Sequence, residues 1–175
     1  SPLGGPSVRP YHPPGLYEQV VAGSSADTYV PDTGAGLYRR TLYTYWKRSV
    51  PNPALLLFDV PFRETCTVRR ARTTTPLQAL NLMNDPTYVE AARAVAQRLL
   101  REVPGSVDTR VDAGFRWITA RAPSPAERAI LRNGLERARQ AYQADPVGAA
   151  DLLGVGASRV DPAEWIGTGA PGLPG

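Results

Sequence analysis

Apolar side chains recur at helical spacing through the middle of this chain and give way to glycine- and proline-rich stretches at both ends. Leu37, Tyr38, Leu42, Tyr45 and Trp46 predict a helix over 37–48 that buries an aromatic stripe between basic residues. Asn52-Pro53 supplies an N-cap and a first-turn proline for a short apolar segment, Ala54–Phe58. Thr75-Pro76 starts the next helix by the same logic, with Leu77, Leu80, Leu82 and Met83 as its apolar face, and Asn84-Asp85-Pro86 breaks it. A helix to about Glu102 follows. It turns Tyr88, Val89, Ala92, Val95, Ala96 and Leu99 inward and carries Glu90, Arg93, Gln97, Arg98 and Arg101 on its polar side.

Pro104-Gly105 stops that helix. Val111, Phe115 and Ile118 then mark the inner face of a helix over about 109–121. Ser124-Pro125-Ala126-Glu127 is a capping box with proline at the first helical position, the clearest start signal in the sequence. Its helix reaches about Ala144 with Ile130, Leu131, Leu135, Ala138 and Tyr142 inward, and Asp145-Pro146 opens a last short helix to Leu153. Between the first helices, Arg63–Thr74 fits a strand or an extended loop, since Thr65, Thr67 and Val68 favour β. Leu16–Val21 fits one helical turn or a short strand. The fold class expected is mainly α: an irregular helical bundle with a core over 37–153, a long Pro/Gly-rich N-terminal arm over 1–36 and a disordered C-terminal tail over 163–175.

Composition narrows the chemistry more than the fold. The 16 glycines and 18 prolines lie mostly toward the ends, which matches irregular termini around an ordered middle. Net charge is +4, and Lys47 is the only lysine. Coding bias toward arginine explains that balance as well as an anion or nucleic-acid surface does, and acidic residues are interspersed through the helices. Nucleic acid is therefore an unlikely partner. The single cysteine, Cys66, excludes an internal disulfide and a multi-cysteine zinc site, and no C-x-x-C-H motif attaches haem to this chain. Cys66 reads as a small buried hydrophobe or, with its arginine neighbours, as a reactive thiolate. His12 is the only histidine and sits in a polyproline-like stretch, as an ordinary loop residue would. No apolar run is long enough to span a membrane, and no metal site is expected.

The segment RETCTVRRARTTTPLQALNLMNDPTYVE concentrates the polar chemistry. Its candidate cluster is Arg63, Glu64, Arg69, Arg70, Arg72, Thr73, Asn81, Asn84 and Asp85. Arginine's planar fork pairs bidentately with carboxylates and other oxyanions, so such a cluster is either an internal ion-pair network or a binding surface. In the first reading the arginines pair with Asp59, Glu64 and Asp85 while the threonines cap helices. In the second the cluster lines a pocket for a glycan, and Glu64 or Asp85 is the available acid or base. The sequence leaves catalysis open.

The strings RRTLYTYWKR, RETCTVRR and TPLQALNLMNDP, with GGPSVRPYHPPGLYEQV before them and FRWITARAPSPAERAIL and LLGVGASRVDP after, resemble the C-terminal part of the PSD1 domain, DUF1553, a planctomycete-specific domain of unknown function. The resemblance covers about 1–162. It implies a piece of a large exported, envelope-associated protein. Such proteins often carry a cytochrome c-like module upstream, so any haem would lie outside this chain. It further implies the upstream domains of the same polypeptide as partners, with polysaccharide as a further one. No catalytic residues come with the resemblance. After Asp161-Pro-Ala-Glu164 the family pattern continues into a helix, whereas here Trp165-Ile166 leads into a Gly/Pro-rich end that reads as aberrant.

Overall fold

Prolines and polar caps place the helices. The structure, a computed structural model, describes residues 3–12, 29–48 and 50–158. Its helices are α1 (Pro53–Leu57), α2 (Pro76–Asn84), α3 (Pro86–Glu102), α4 (Val107–Thr119), α5 (Pro125–Ala144) and α6 (Pro146–Leu153). All but α4 begin with proline, whose missing N–H belongs to a group of donors that a helix start leaves unpaired anyway. Asn52, Thr75, Ser106, Ser124 and Asp145 accept hydrogen bonds from the first turns of α1, α2, α4, α5 and α6. No strand is present among the described residues, only an isolated parallel bridge between Val8 and Thr44. The readings for Leu16–Val21 and for the tail over 163–175 lie outside the described residues.

The chain divides into two compact units, Ser1–Pro86 and Thr87–Gly175. In the first, the helix expected over 37–48 does not form. Two short 3-10 turns, Gly34–Tyr38 and Thr41–Tyr43, are separated by extended Arg39 and Arg40. The reason is pairing with the arm: Val8 N–H donates to Tyr43 O (2.8 Å) and Tyr45 N–H to Val8 O (2.7 Å). Arg39 also donates to the carbonyls of Gly4 and Pro6. The run Thr41–Trp46 is aromatic and β-branched, so its own propensity offers little resistance to these tertiary bonds. The expected buried stripe is accordingly broken. Leu37 is buried, but Tyr38 and Leu42 are exposed. Residues 3–12 of the arm are irregular yet tied down, with Val8 joining Leu37 and Val50 as the buried apolar residues among those described in this unit. Arg9 and Asp32 bond reciprocally through Arg9 N–H to Asp32 Oδ2 and Asp32 N–H to Arg9 O, each 2.8 Å.

Helix α2 forms where expected, but its apolar face is not covered. Leu77, Leu80, Leu82 and Met83 are 61%, 52%, 47% and 67% exposed, while polar Gln78 is buried. Gln78 goes inward because it completes a capping box with Thr75. Its Nε2 also donates to Leu57 O (2.8 Å) and Thr73 Oγ1 (3.1 Å), tying α2 to α1 and the preceding loop.

The second unit is built, over its described length, from helices joined by short loops. Helices α4 and α5 pack antiparallel, with their register marked by two ion pairs. Arg128 grips Asp112 with both arms (2.7 and 2.6 Å), and Arg132 reaches Asp108 (3.0 Å). These pairs are partly exposed, so they specify alignment more than they add stability. Gly114 is buried against Leu99, which brings α3 and α4 together. Ile118, expected inward, is 77% exposed because the contact is made through Gly114 instead. Ile130, Leu131, Leu135 and Tyr142 of α5 are likewise exposed rather than inward. Helix α3 departs most from expectation. Ala92 is exposed, and the polar residues Glu90 and Arg93 are buried.

The capping box at Ser124 is closed by a bidentate Arg121–Glu127 pair (2.9 and 2.6 Å). Hydrogen bonds from Arg121, and from Ser124 after it, pull the Glu127 carboxyl down to about 2. A carboxyl lowered on folding stabilises the folded state above its unfolded value and loses that contribution as pH falls through the folded one. The contribution of Glu127 is therefore complete above about pH 4.5 and fades toward about pH 2. Acid titration followed by far-UV circular dichroism should show Glu127→Gln flattening the loss of helix in this window. An unchanged acid limb would mean that the box does not hold the start of α5.

Candidate functional site

The polar cluster begins at the end of α1. Val60 N–H donates to Leu55 O and Asp59 N–H to Leu56 O, each 3.0 Å, which is a Schellman closure with Asp59 at the left-handed position. Asp59 has φ +60°, where glycine is usual and another residue costs about 1–2 kcal/mol. The side chain explains the choice. Its carboxylate accepts from Thr73 N–H (2.8 Å) and from Thr73 Oγ1 (3.0 and 2.8 Å). These bonds, backbone first, and the nearby Arg70 guanidinium hold the Asp59 carboxyl below its usual range against the opposing effect of desolvation. Arg70 closes the loop from the other side, donating Nε to Asp59 O (2.9 Å) and a terminal nitrogen to Phe58 O.

The returning loop leaves an open cavity of about 400 Å³, lined by Phe58, Asp59, Gln78 and the run Arg69–Thr73. Arg69, Arg70, Arg72 and Thr73 thus line one cavity. Arg63 and Glu64 do not join them. Arg63, itself at φ +63°, lies over the Trp46 ring at 4.5 Å. Glu64 pairs with Arg48 (3.1 Å), a partner outside the cluster, and both are largely exposed. Asn81, Asn84 and Asp85 line a second groove, of about 550 Å³, whose walls are Tyr11, Leu57, Leu77 and Leu80. Asn84 Nδ2 donates to Leu80 O (2.8 Å), whereas buried Asn81 Nδ2 has no hydrogen-bond partner among the described residues. His12 also lines this groove and packs its ring 4.7 Å from that of Tyr29.

Cys66 is exposed, not buried, because the whole Phe62–Thr74 stretch runs along the surface without strand pairing. Among the described residues no group of three His, Cys, Asp or Glu side chains could hold a metal. No helix among them is long and apolar enough to cross a membrane. Among the described residues, Asp59 is the carboxylate lining the first cavity and Asp85 the one lining the second. The first cavity presents guanidinium groups and the second amide and apolar groups.

One polar cluster escaped the sequence reading. In the second unit Arg93 donates to the carbonyls of Leu153, Val155 (2.8 Å) and Ser158 (2.7 Å) and to Ser158 Oγ (2.6 Å). Glu90 lies 3.7 Å from Arg93 and accepts from Ser158 N–H (2.7 Å). Glu90 and Arg93 are only 3% and 7% exposed. Their i, i+3 spacing looks like any surface ion pair. The available signal was the glycine-rich turn Gly154-Val-Gly-Ala-Ser158, whose close approach leaves room for buried side chains beneath it.

A family model described as PSD1, protein of unknown function (DUF1553), matches residues 1–135. That span contains the first unit and both cavities and ends within α5. No curated protein and no solved structure matches the chain.

Proposed function

Since this chain belongs to the PSD1 family of proteins of unknown function, we propose that it is a non-catalytic structural and interaction module, docking through the apolar face of α2 onto neighbouring domains of one multidomain polypeptide. The observation that carries this reading is the pairing of a loop fixed by its own Asp59, Arg70 and Thr73 bonds with an uncovered apolar helix. Asp59, Arg70 and Thr73 bond to one another or to the backbone, as a scaffold does. Leu77, Leu80 and Met83, three residues apart along one side of α2, stand about half exposed or more. Exposed apolar patches mark interaction sites. The resemblance implies an exported, envelope-associated polypeptide, with any haem carried by a cytochrome c-like module outside this chain.

Leu80→Glu tests the docking. In the isolated chain Leu80 is 52% exposed, so the substitution should change thermal stability by no more than about 0.5 kcal/mol. In the complete polypeptide it should lower the unfolding temperature and open a proteolytic site near α2. Equal destabilisation in both settings would show that Leu80 belongs to an internal core, and the docking reading would fall.

A second reading, a carbohydrate-binding domain, is favoured by the second groove. Its apolar walls and amide rim, with one buried amide donor left over at Asn81, fit a sugar face and its hydroxyls. Polysaccharide is the ligand class this reading names.

A further inference from the structure

The cavity beside Asp59 carries more positive charge than its own structure uses. Arg70 is consumed by the carbonyls of Phe58 and Asp59. The Asp59 carboxylate is occupied by Thr73 and faces Arg70. Buried Gln78 is committed to Thr73, Thr75 and Leu57. Arg69 and Arg72 line the same cavity and make no hydrogen bond or ion pair with any described residue. Three guanidinium groups thus bound about 400 Å³ against one carboxylate among the described lining residues, and that carboxylate accepts from Thr73. Like charges gathered at one opening raise the local concentration of anions. The fork of each free arginine suits a planar or tetrahedral oxyanion.

We propose that this cavity is an oxyanion receptor in which Arg69 and Arg72 grip a carboxylate, sulfate or phosphate group, with Arg70 and Asp59 holding the loop that presents them. This site is separate from the apolar face of α2 and does not depend on the docking reading. Asp59 and Thr73 are positioning residues, since their bonds hold the loop on which Arg69 and Arg72 line the cavity.

The test is an NMR titration of the whole chain, observing arginine Nε–H signals, with sodium sulfate, inorganic phosphate and sodium acetate, each against sodium chloride at equal ionic strength. We expect saturable shifts at Arg69 and Arg72 with at least one oxyanion and none with chloride. Preference for acetate would identify a carboxylate ligand, and preference for sulfate or phosphate an ester. R69A/R72A should weaken binding at least about tenfold, the loss expected when charge-assisted hydrogen bonds are removed. R69K/R72K, which keeps the charge but not the fork, should lie between. Leu80→Glu should leave the titration unchanged, so a failure of docking and a failure of this site are read separately. Shifts no larger than those in chloride, or undiminished binding by R69A/R72A, would overturn the proposal.

Discussion

Arg93→Ala should lower the stability of the second unit by about 3–5 kcal/mol, the loss seen when one partner of a buried ion pair is removed. The guanidinium serves several acceptors. It satisfies the Leu153 carbonyl at the end of α6, the Val155 and Ser158 carbonyls and the Ser158 hydroxyl, and it faces Glu90. A helix leaves its last carbonyls unpaired, and here the turn that follows is folded over a buried cation that receives them. Alanine would strand those carbonyls and take from buried Glu90, 3% exposed, the guanidinium it faces. Urea denaturation measures the loss. Replacing both Glu90 and Arg93 by leucine and methionine should cost less than the sum of the single changes, because no buried charge then remains. A single-substitution loss below about 1 kcal/mol would indicate that the 153–158 turn is held by something else.

Gly156→Ala should cost roughly 3 kcal/mol or more, in the tail of single-substitution effects. Gly156 has φ +93°, a conformation that side-chain-bearing residues rarely adopt, and a Cβ there would overlap the Glu90 carboxylate. That carboxylate cannot swing away without abandoning Ser158 N–H and Arg93. Two other glycines calibrate the claim. A Cβ at Gly114 would come 3.0 Å from Leu99 Cδ1, the end of a side chain that can shift, so alanine there should cost less. A Cβ at Gly134, inside α5, meets nothing within 4 Å, and alanine should stabilise by about 0.5–1 kcal/mol through helix propensity alone. Thermal melts of the three variants should therefore rank Gly156→Ala lowest and Gly134→Ala highest. Any other order would contradict the geometry of the turn.

Features that depend on a few adjacent residues were legible in the sequence. The Ser124–Glu127 box, the Asn52-Pro53 start and the Asp145-Pro146 start all sit where their local chemistry puts them, since a cap and a proline act within one turn. Inner faces were not legible. Glu90 and Arg93 look like solvent-side residues until the 153–158 turn, some 60 positions away, folds over them. The aromatic run at 41–46 has helical spacing, yet backbone pairing with Val8 draws it into an extended path. The polar cluster was legible as a cluster but not in its division. Arg69, Arg70, Arg72 and Thr73 share one cavity because Asp59 and Thr73 pin the loop, and Asn81, Asn84 and Asp85 fall to another groove because α2 turns them there. Glu64 turned to Arg48, which no spacing rule singles out.

The central claim is that α2 presents an apolar face for docking while the loop before it is held in place by its own bonds. Hydrogen–deuterium exchange over Pro76–Asn84, compared between this chain alone and the multidomain polypeptide proposed above, tests it most directly. The account predicts that amides of α2 become markedly more protected in the complete polypeptide while those of the Arg69–Thr73 loop change little. Equal exchange of α2 in both would contradict it.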